Sequence, residues 1–327
     1  MNILVFTNMY PFGAMPFYGS FVRDEVRGLQ NAGCDVDVLF INGKANKLSY
    51  FVSPFRLGAA LRRKRYDIVH VHHSFCGFVA SFPKRLPIVW TFHEGEIAGD
   101  SVGATRRRPA KVLTYSKRLK RFVARRADRV IVVAEYLKEP LGRPDATTIP
   151  SGLDVERFAP MDRASAIMAL GLDAGRRYVL FPSSPSRLEK RYDLAKSAVD
   201  RLRSDGVSDG IELLCLDNVP HEKVPLYMNV SEVLLMTSEW EASPVTIREA
   251  LACNLPVVST DVGDVRLLVE PIDGCYVVED RAEPIADALG QVLAAGHRIE
   301  GRERVKRFSL ENTAKKIVDV YRELIES

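Results

Sequence analysis

Long apolar runs are missing from this 327-residue sequence. None approaches the ~20 residues that a membrane-spanning helix needs, and the mean hydropathy is −0.06. A basic leader is missing too. The opening Met1-Asn2-Ile3-Leu4-Val5-Phe6-Thr7 runs into Asn8 and Pro11, so it reads as a first strand, not a signal peptide, and the expected setting is cytoplasmic. Cysteine is sparse, with five residues, no CxxC pair and no shared spacing with histidine. That pattern speaks for small buried hydrophobes in a reducing compartment and against a disulfide framework. Low-complexity segments and internal repeats are absent. With 46% hydrophobic and 27% charged positions, disorder and coiled coil are excluded. At this length one core stops growing, so two domains are expected.

Acidic charge is scarce in the first half. Residues 1–150 hold 24 Lys and Arg against 12 Asp and Glu, whereas the remainder holds 22 against 30. Eleven basic residues fall between Arg106 and Arg129, with Asp128 the one acid among them. The cluster reads either as a solvated helix face or as a peripheral contact with an anionic membrane. Nucleic acid is not expected. Only Tyr115 and Phe122 are interleaved as stacking aromatics, and the acidic half would repel a phosphate backbone.

Short β-branched runs alternate with helical patterns. The runs are Ile3–Thr7, Val36–Ile41, Asp67–His72, Pro87–Phe92 and Arg129–Ala134, then Tyr178–Phe181, Ile211–Leu216, Val233–Met236, Pro256–Ser259 and Tyr276–Val278. Amphipathic stretches such as Phe21–Ala32 and Lys111–Arg126 lie between them. Near-continuous apolar strands separated by helices predict a parallel sheet covered on both faces, an α/β doubly wound fold. The pattern pauses at Pro144–Pro160, which marks a linker. The expected domains are 1–150 and 151–308, followed by a terminal helix in 309–327. Ligands of such sheets bind beyond the carboxyl ends of the strands, and two facing domains would form a cleft.

Neither phosphate-binding fingerprint, G-x-G-x-x-G or G-x-x-x-x-G-K-[ST], is present. Gly19-Ser20 precedes a helix instead, and Gly19 reads as an anion-holding turn or as a plain cap. The most informative stretch is Ser238-Glu239-Trp240-Glu241-Ala242-Ser243-Pro244-Val245-Thr246-Ile247-Arg248-Glu249, followed by Ala250-Leu251-Ala252-Cys253-Asn254-Leu255-Pro256. Glu241 sits on a loop after a strand, and Glu249 about one turn inside a helix that starts near Pro244. Carboxylates accept sugar hydroxyls, and free amides hold phosphate. Spacing alone reads Glu241 as a surface residue and Glu249 as a dipole-favoured helix residue.

Glu241-x7-Glu249 with the residues after it resembles the signature of family 4 glycosyltransferases, retaining nucleotide-sugar enzymes of the GT-B fold. His221-Glu222-Lys223-Val224-Pro225, Ile149-Pro150-Ser151-Gly152-Leu153-Asp154 and Ala127-Asp128-Arg129-Val130 resemble other landmarks of that family. The resemblance implies two Rossmann-like domains, a nucleotide-sugar donor in the second, a carbohydrate or lipid-linked acceptor in the first, and a last helix crossing back. Glu249 would bind ribose hydroxyls and Glu241 the transferred sugar. Amides of Ser243, Val245 and Thr246 would face the sugar and diphosphate, although Pro244 supplies no N–H. Lys190, in Pro185-Ser186-Arg187-Leu188-Glu189-Lys190, matches the family lysine at the leaving diphosphate. Pro185 stands where the family has arginine, and Arg187 would be the substitute from another loop position. His93, in Thr91-Phe92-His93-Glu94-Gly95-Glu96, would line the cleft at the donor sugar.

His70, His72 and His73 form a histidine-rich strand end. Alternation sends His70 and His72 to one face and His73 to the other. No carboxylate or cysteine lies at suitable spacing along the chain, so a metal is not expected, and His72 or His73 is assigned to the acceptor side. The implied reaction is a metal-independent, same-face substitution without a cofactor, which retains anomeric configuration. The alternatives are a nucleotide-sugar epimerase of the same fold and a non-catalytic nucleotide-sugar-binding protein.

Overall fold

A computed structural model of the chain describes residues 1–82, 84–93, 117–204 and 210–326. Glu94, Glu96, Tyr115 and the basic residues from Arg106 to Lys111 lie outside the described residues. The chain divides into two compact units. One comprises Met1–Gly13, Tyr18–Gly152 and Leu310–Ser327, the other Ala14–Phe17 and Leu153–Ser309.

The first unit is built on β1 (Asn2–Thr7), β2 (Asp35–Phe40), β3 (Ile68–His72), β4 (Ile88–Phe92), β5 (Arg129–Val132) and β6 (Thr147–Thr148). All pair in parallel, in the order β2-β1-β3-β4-β5-β6. Helices α1 (Ser20–Asn31), α2 (Ser49–Arg63), α3 (Ser74–Ala80), α4 (Lys117–Arg126) and α5 (Lys138–Leu141) connect them. The strand cores are buried throughout in β3 and β4, as continuous apolar strands covered on both faces require.

Glycine is obligatory at position 19. Its φ is +68°, and a Cβ there would lie 2.4 Å from the Met9 carbonyl carbon and 2.6 Å from the Tyr10 nitrogen. The close approach that selects glycine is thus to the chain's own backbone at the end of β1.

The second unit repeats the scheme with β7 (Arg177–Phe181), β8 (Ile211–Cys215), β9 (Val233–Met236), β10 (Val257–Thr260) and β11 (Tyr276–Val278). Their order is β11-β10-β9-β7-β8, again parallel. The connecting helices are α6 (Arg163–Leu170), α7 (Tyr192–Ser204), α8 (Val224–Val230), α9 (Val245–Ala252), α10 (Val265–Val269), α11 (Ala282–Ala295) and α12 (Arg302–Val305). The last helix, α13 (Leu310–Glu326), belongs to the first unit. It lies on α1 where Gly28 has no side chain, and a Cβ there would be 3.1 Å from the Leu310 carbonyl oxygen and 3.3 Å from Ala314 Cβ.

Both sheets therefore wind outward from an inner pair, β1/β3 in the first unit and β7/β9 in the second. These are the topological switch points, where loops leave in opposite directions and open a crevice at the strands' carboxyl ends. Two Rossmann-like doubly wound units are the α/β architecture expected from the alternation of strands and helices. The differences are small. β6 is a two-residue strand inside the proline-rich linker, too short to show a period. β5 ends at Val132, two residues before the apolar run does.

Candidate functional site

In the second unit, the loops after β7 and β9 meet at the switch point. Lys190 ends a single 3-10 turn, Leu188–Lys190, and Arg191 after it takes the left-handed conformation at φ +54°. Thr237, following β9, donates its hydroxyl to the Lys190 carbonyl at 2.9 Å, and the Glu239 amide donates to the Glu189 carbonyl at 2.9 Å. These bonds place the Lys190 ammonium against the Glu241 carboxylate, with which it forms an ion pair. Ser238 donates to the same Glu241 oxygen at 2.7 Å. Lys190 is therefore engaged by Glu241 here, so a diphosphate at Lys190 would have to share or take over that partner. Arg187 is turned to the surface, half-exposed and paired with Glu189 at 2.9 Å.

The loop from Glu241 runs into α9, whose N-cap is Pro244, with no side chain capping the first turn. What shapes this loop is a buried arginine that sequence patterning does not single out. Arg248 is fully buried, donates to the Ser243 hydroxyl at 2.7 Å and stacks over the Phe308 ring at 5.4 Å. Ser243 in turn donates to Asp264 at 2.6 Å. Burial raises the Asp264 carboxyl above its ordinary value, and the Ser243 hydrogen bond and Arg248 oppose that rise. Gly263 closes the loop from behind. At φ +60°, its Cβ would lie 2.5 Å from the Ala242 carbonyl oxygen.

Glu249 is buried on α9, and its Oε1 lies 2.7 Å from His221 Nε2. Arg157 is always a donor, and its Nη1 lies 3.2 Å from His221 Nδ1. His221 must accept there, so its proton sits on Nε2 and is donated to Glu249. The sequence motif placed His221 among the landmarks without a role; the fold makes it the residue that orients Glu249.

In the first unit, the ends of β3 and β4 bring four polar side chains together. His70 Nε2 lies 2.7 Å from Thr91 Oγ1, and its Nδ1 lies 2.5 Å from Tyr321 Oη on α13. His72 Nδ1 lies 3.0 Å from His93 Nε2, with the two rings stacked at 5.3 Å. The half-buried His93 also packs against Phe21, 4.8 Å between ring centres. Burial holds its pKa down to about 3, with His72 adding to the effect, and the opposing carboxylate of Glu25 is weaker. Burial likewise lowers His70, with His72 second.

Two expectations are corrected here. A carboxylate does stand beside the histidines: Glu25 Oε1, from α1, is 3.5 Å from His70 Nδ1 and 3.3 Å from His72 Nε2. Spacing along β3 cannot show it, because Glu25 is delivered by another element. His72 is fully buried, so in this arrangement it cannot itself touch an acceptor. His73 leaves the strand at φ +89° and caps α3, its Nδ1 accepting from the Phe75 amide at 3.2 Å.

Twin doubly wound units, the second gathering a lysine and a carboxylate at its switch point, are the architecture of GT-B glycosyltransferases. The comparisons agree. The Glycosyltransferase Family 4 model matches residues 19–157, and that of Glycosyl transferases group 1 matches residues 189–295. The D-inositol 3-phosphate glycosyltransferase of Saccharomonospora viridis is 28% identical over 307 residues, 79% of this chain and 70% of that protein. Sucrose-phosphate synthase from Thermosynechococcus elongatus superposes with a TM-score of 0.80 over 100% of both chains, at 19% identity. The Anabaena protein HepE in complex with UDP does so with a TM-score of 0.68, over 99% of this chain and 100% of that one, at 15% identity. The chain belongs to glycosyltransferase family 4 and is a glycosyltransferase.

Proposed function

We propose that this enzyme moves a hexose from a nucleoside-diphosphate sugar to a glycan, lipid-linked or small-molecule acceptor with retention of anomeric configuration. The observation that carries the reading is the pairing of Lys190 with Glu241 at the β7/β9 switch point. In this reading Glu249, held by His221, accepts the ribose hydroxyls. Glu241 accepts hydroxyls of the transferred sugar, and Lys190 with the amides of Val245 and Thr246 takes the diphosphate. The bond from the anomeric carbon to the diphosphate oxygen breaks. The acceptor oxygen adds on the same face, and its proton passes to the departing diphosphate. Charge grows on that leaving group as the bond breaks, so a fixed cation and oriented amides act on the transition state more than on the ground state. His93 is assigned to the transferred sugar, and the step uses no metal or other cofactor.

Peripheral contact with an anionic membrane is part of the same proposal. Exposed Arg118, Arg121 and Arg125 on α4 flank Phe122, which stacks on Phe82 at 5.8 Å beside exposed Phe78. Among the described residues no helix is long and apolar enough to cross a membrane. Incubating the protein with a panel of uridine, guanosine and adenosine diphosphate sugars tests the reaction. Acceptor-dependent nucleoside diphosphate release supports it; a donor altered without acceptor, or no turnover with any donor, refutes it.

A further inference from the structure

The buried cluster at the ends of β3 and β4 lines up a carboxylate and two imidazoles, Glu25, His72 and His93. Glu25 Oε1 and His72 Nε2 are both buried, neither has a hydrogen-bond partner, and they lie 3.3 Å apart. An ionised carboxylate can only accept. A lone pair on His72 Nε2 would therefore face a negative oxygen across 3.3 Å, whereas a proton there faces an acceptor. A neutral imidazole carries a single N–H, so placing it on Nε2 leaves His72 Nδ1 as a lone pair. That lone pair lies 3.0 Å from His93 Nε2, which must then supply the proton. His93 in turn retains a lone pair on Nδ1.

We propose that Glu25 is a positioning residue, acting through His72 to hold His93 as its Nε2–H tautomer so that Nδ1 is presented as a hydrogen-bond acceptor to a hydroxyl of the bound sugar. The tautomer assignment stands on the geometry alone; only its use on a sugar rests on the reading of His93 given above. Tyr321 and Thr91 occupy the two nitrogens of His70. They keep that ring from competing for Glu25, so the carboxylate is left to His72. Glu25 thus does for His93 what a carboxylate does for any oriented imidazole, with one further ring in between.

Selective ¹⁵N-histidine labelling of the full chain at pH 8 reads the tautomer directly and needs no variant. His93 is expected to show a protonated Nε2 and an unprotonated Nδ1. The reverse pattern, or a doubly protonated His72, overturns the proposal. In Glu25→Gln the charged acceptor is replaced by a neutral amide that can accept or donate. The His93 tautomer ratio should then move by roughly fivefold to tenfold, the difference between a charge-assisted and a neutral hydrogen bond.

Kinetics separate this from a merely structural role. Glu25→Gln should lower kcat/KM for the nucleotide sugar while leaving the Kd for the bare nucleoside diphosphate within about twofold, because the proposed nucleotide contacts all lie in the second unit. An equal loss in both overturns it. So does one tightly retained divalent metal ion that Glu25→Gln releases. Glu25, His70 and His72 offer ligand atoms within 4.8 Å of one another, and a metal there would replace the His72 Nε2 proton. If the wild-type chain turns over no donor at all while His93 still shows the Nε2–H tautomer, the functional reading fails and the positioning chain stands.

Discussion

Replacing Lys190 with methionine separates two consequences of the switch-point ion pair. Lys190 and Glu241 side chains are 17% and 14% exposed, between a surface pair worth up to ~1 kcal/mol and a buried one whose disruption costs ~3–5 kcal/mol. Removing the ammonium takes the Lys190 charge away from Glu241, which still accepts from Ser238 at 2.7 Å. The expected destabilisation is about 2 kcal/mol, a fall of roughly 4–8 °C in the midpoint for a unit of this size. The proposed transition state loses its cation as well, and the loss of one such group typically lowers kcat by about 10²–10³.

The double variant Lys190→Met/Glu241→Gln tells these effects apart. Without the carboxylate that faced the lysine, the midpoint should return to within about 2 °C of wild type, since removing both partners is far less costly than removing one. Turnover should stay low. Differential scanning calorimetry and a coupled nucleoside diphosphate assay read the two quantities. Unaltered stability in the single variant, or activity within tenfold of wild type in the double, would refute the reasoning.

Other consequences can be checked in the same preparations. His221→Phe removes the hydrogen bond to Glu249 at 2.7 Å. Nucleoside diphosphate Kd by calorimetry should rise between about tenfold and a hundredfold, the range that a hydrogen bond to a charged group commands; an unchanged Kd would detach Glu249 from the ribose. Gly19→Ala forces a Cβ to 2.4 Å from the Met9 backbone at φ +68°, and a urea midpoint should show a loss above about 2 kcal/mol. Acid should weaken the fold before its carboxylates titrate. His70 and His93 are both lowered by burial, His93 to about 3, while the unfolded chain takes up those protons near 6.5. The unfolded state therefore binds more protons in between, and stability falls as pH drops below ~6.5; equal urea midpoints at pH 7.5 and 5.5 would contradict this. Liposome sedimentation should increase with anionic lipid content and weaken in Arg121→Glu/Phe122→Ser if α4 meets the membrane.

Strands were legible because buried parallel strands are continuous apolar runs. Val233–Met236 and Tyr276–Val278 have the bounds that the runs themselves mark. Glu241, Glu249 and Lys190 stood out only through the family resemblance, because spacing alone reads them as surface and helix residues; the fold brings Lys190 and Glu241 together. Long-range pairing was not legible. Tyr321 meets His70 across 251 positions and His221 meets Glu249 across 28, distances over which no period or spacing reports. Glu25 reads as one more charge on an amphipathic helix until the order β2-β1-β3 carries α1 over the end of β3. Arg248 is hidden in the same way, because an arginine one residue before the motif glutamate gives no local sign that it is fully buried. Pattern shows which face of an element is apolar; the order of the strands decides which polar groups meet.

The most direct test of the central claim is a crystal structure with uridine or guanosine diphosphate, chosen by whichever binds more tightly in calorimetry. The account predicts the ribose hydroxyls on Glu249 and the diphosphate on Lys190 and the amides at the start of α9, with the Lys190 to Glu241 contact lengthened or shared. A nucleotide seated away from the β7/β9 switch point, or ribose contacts that leave Glu249 untouched, would contradict it.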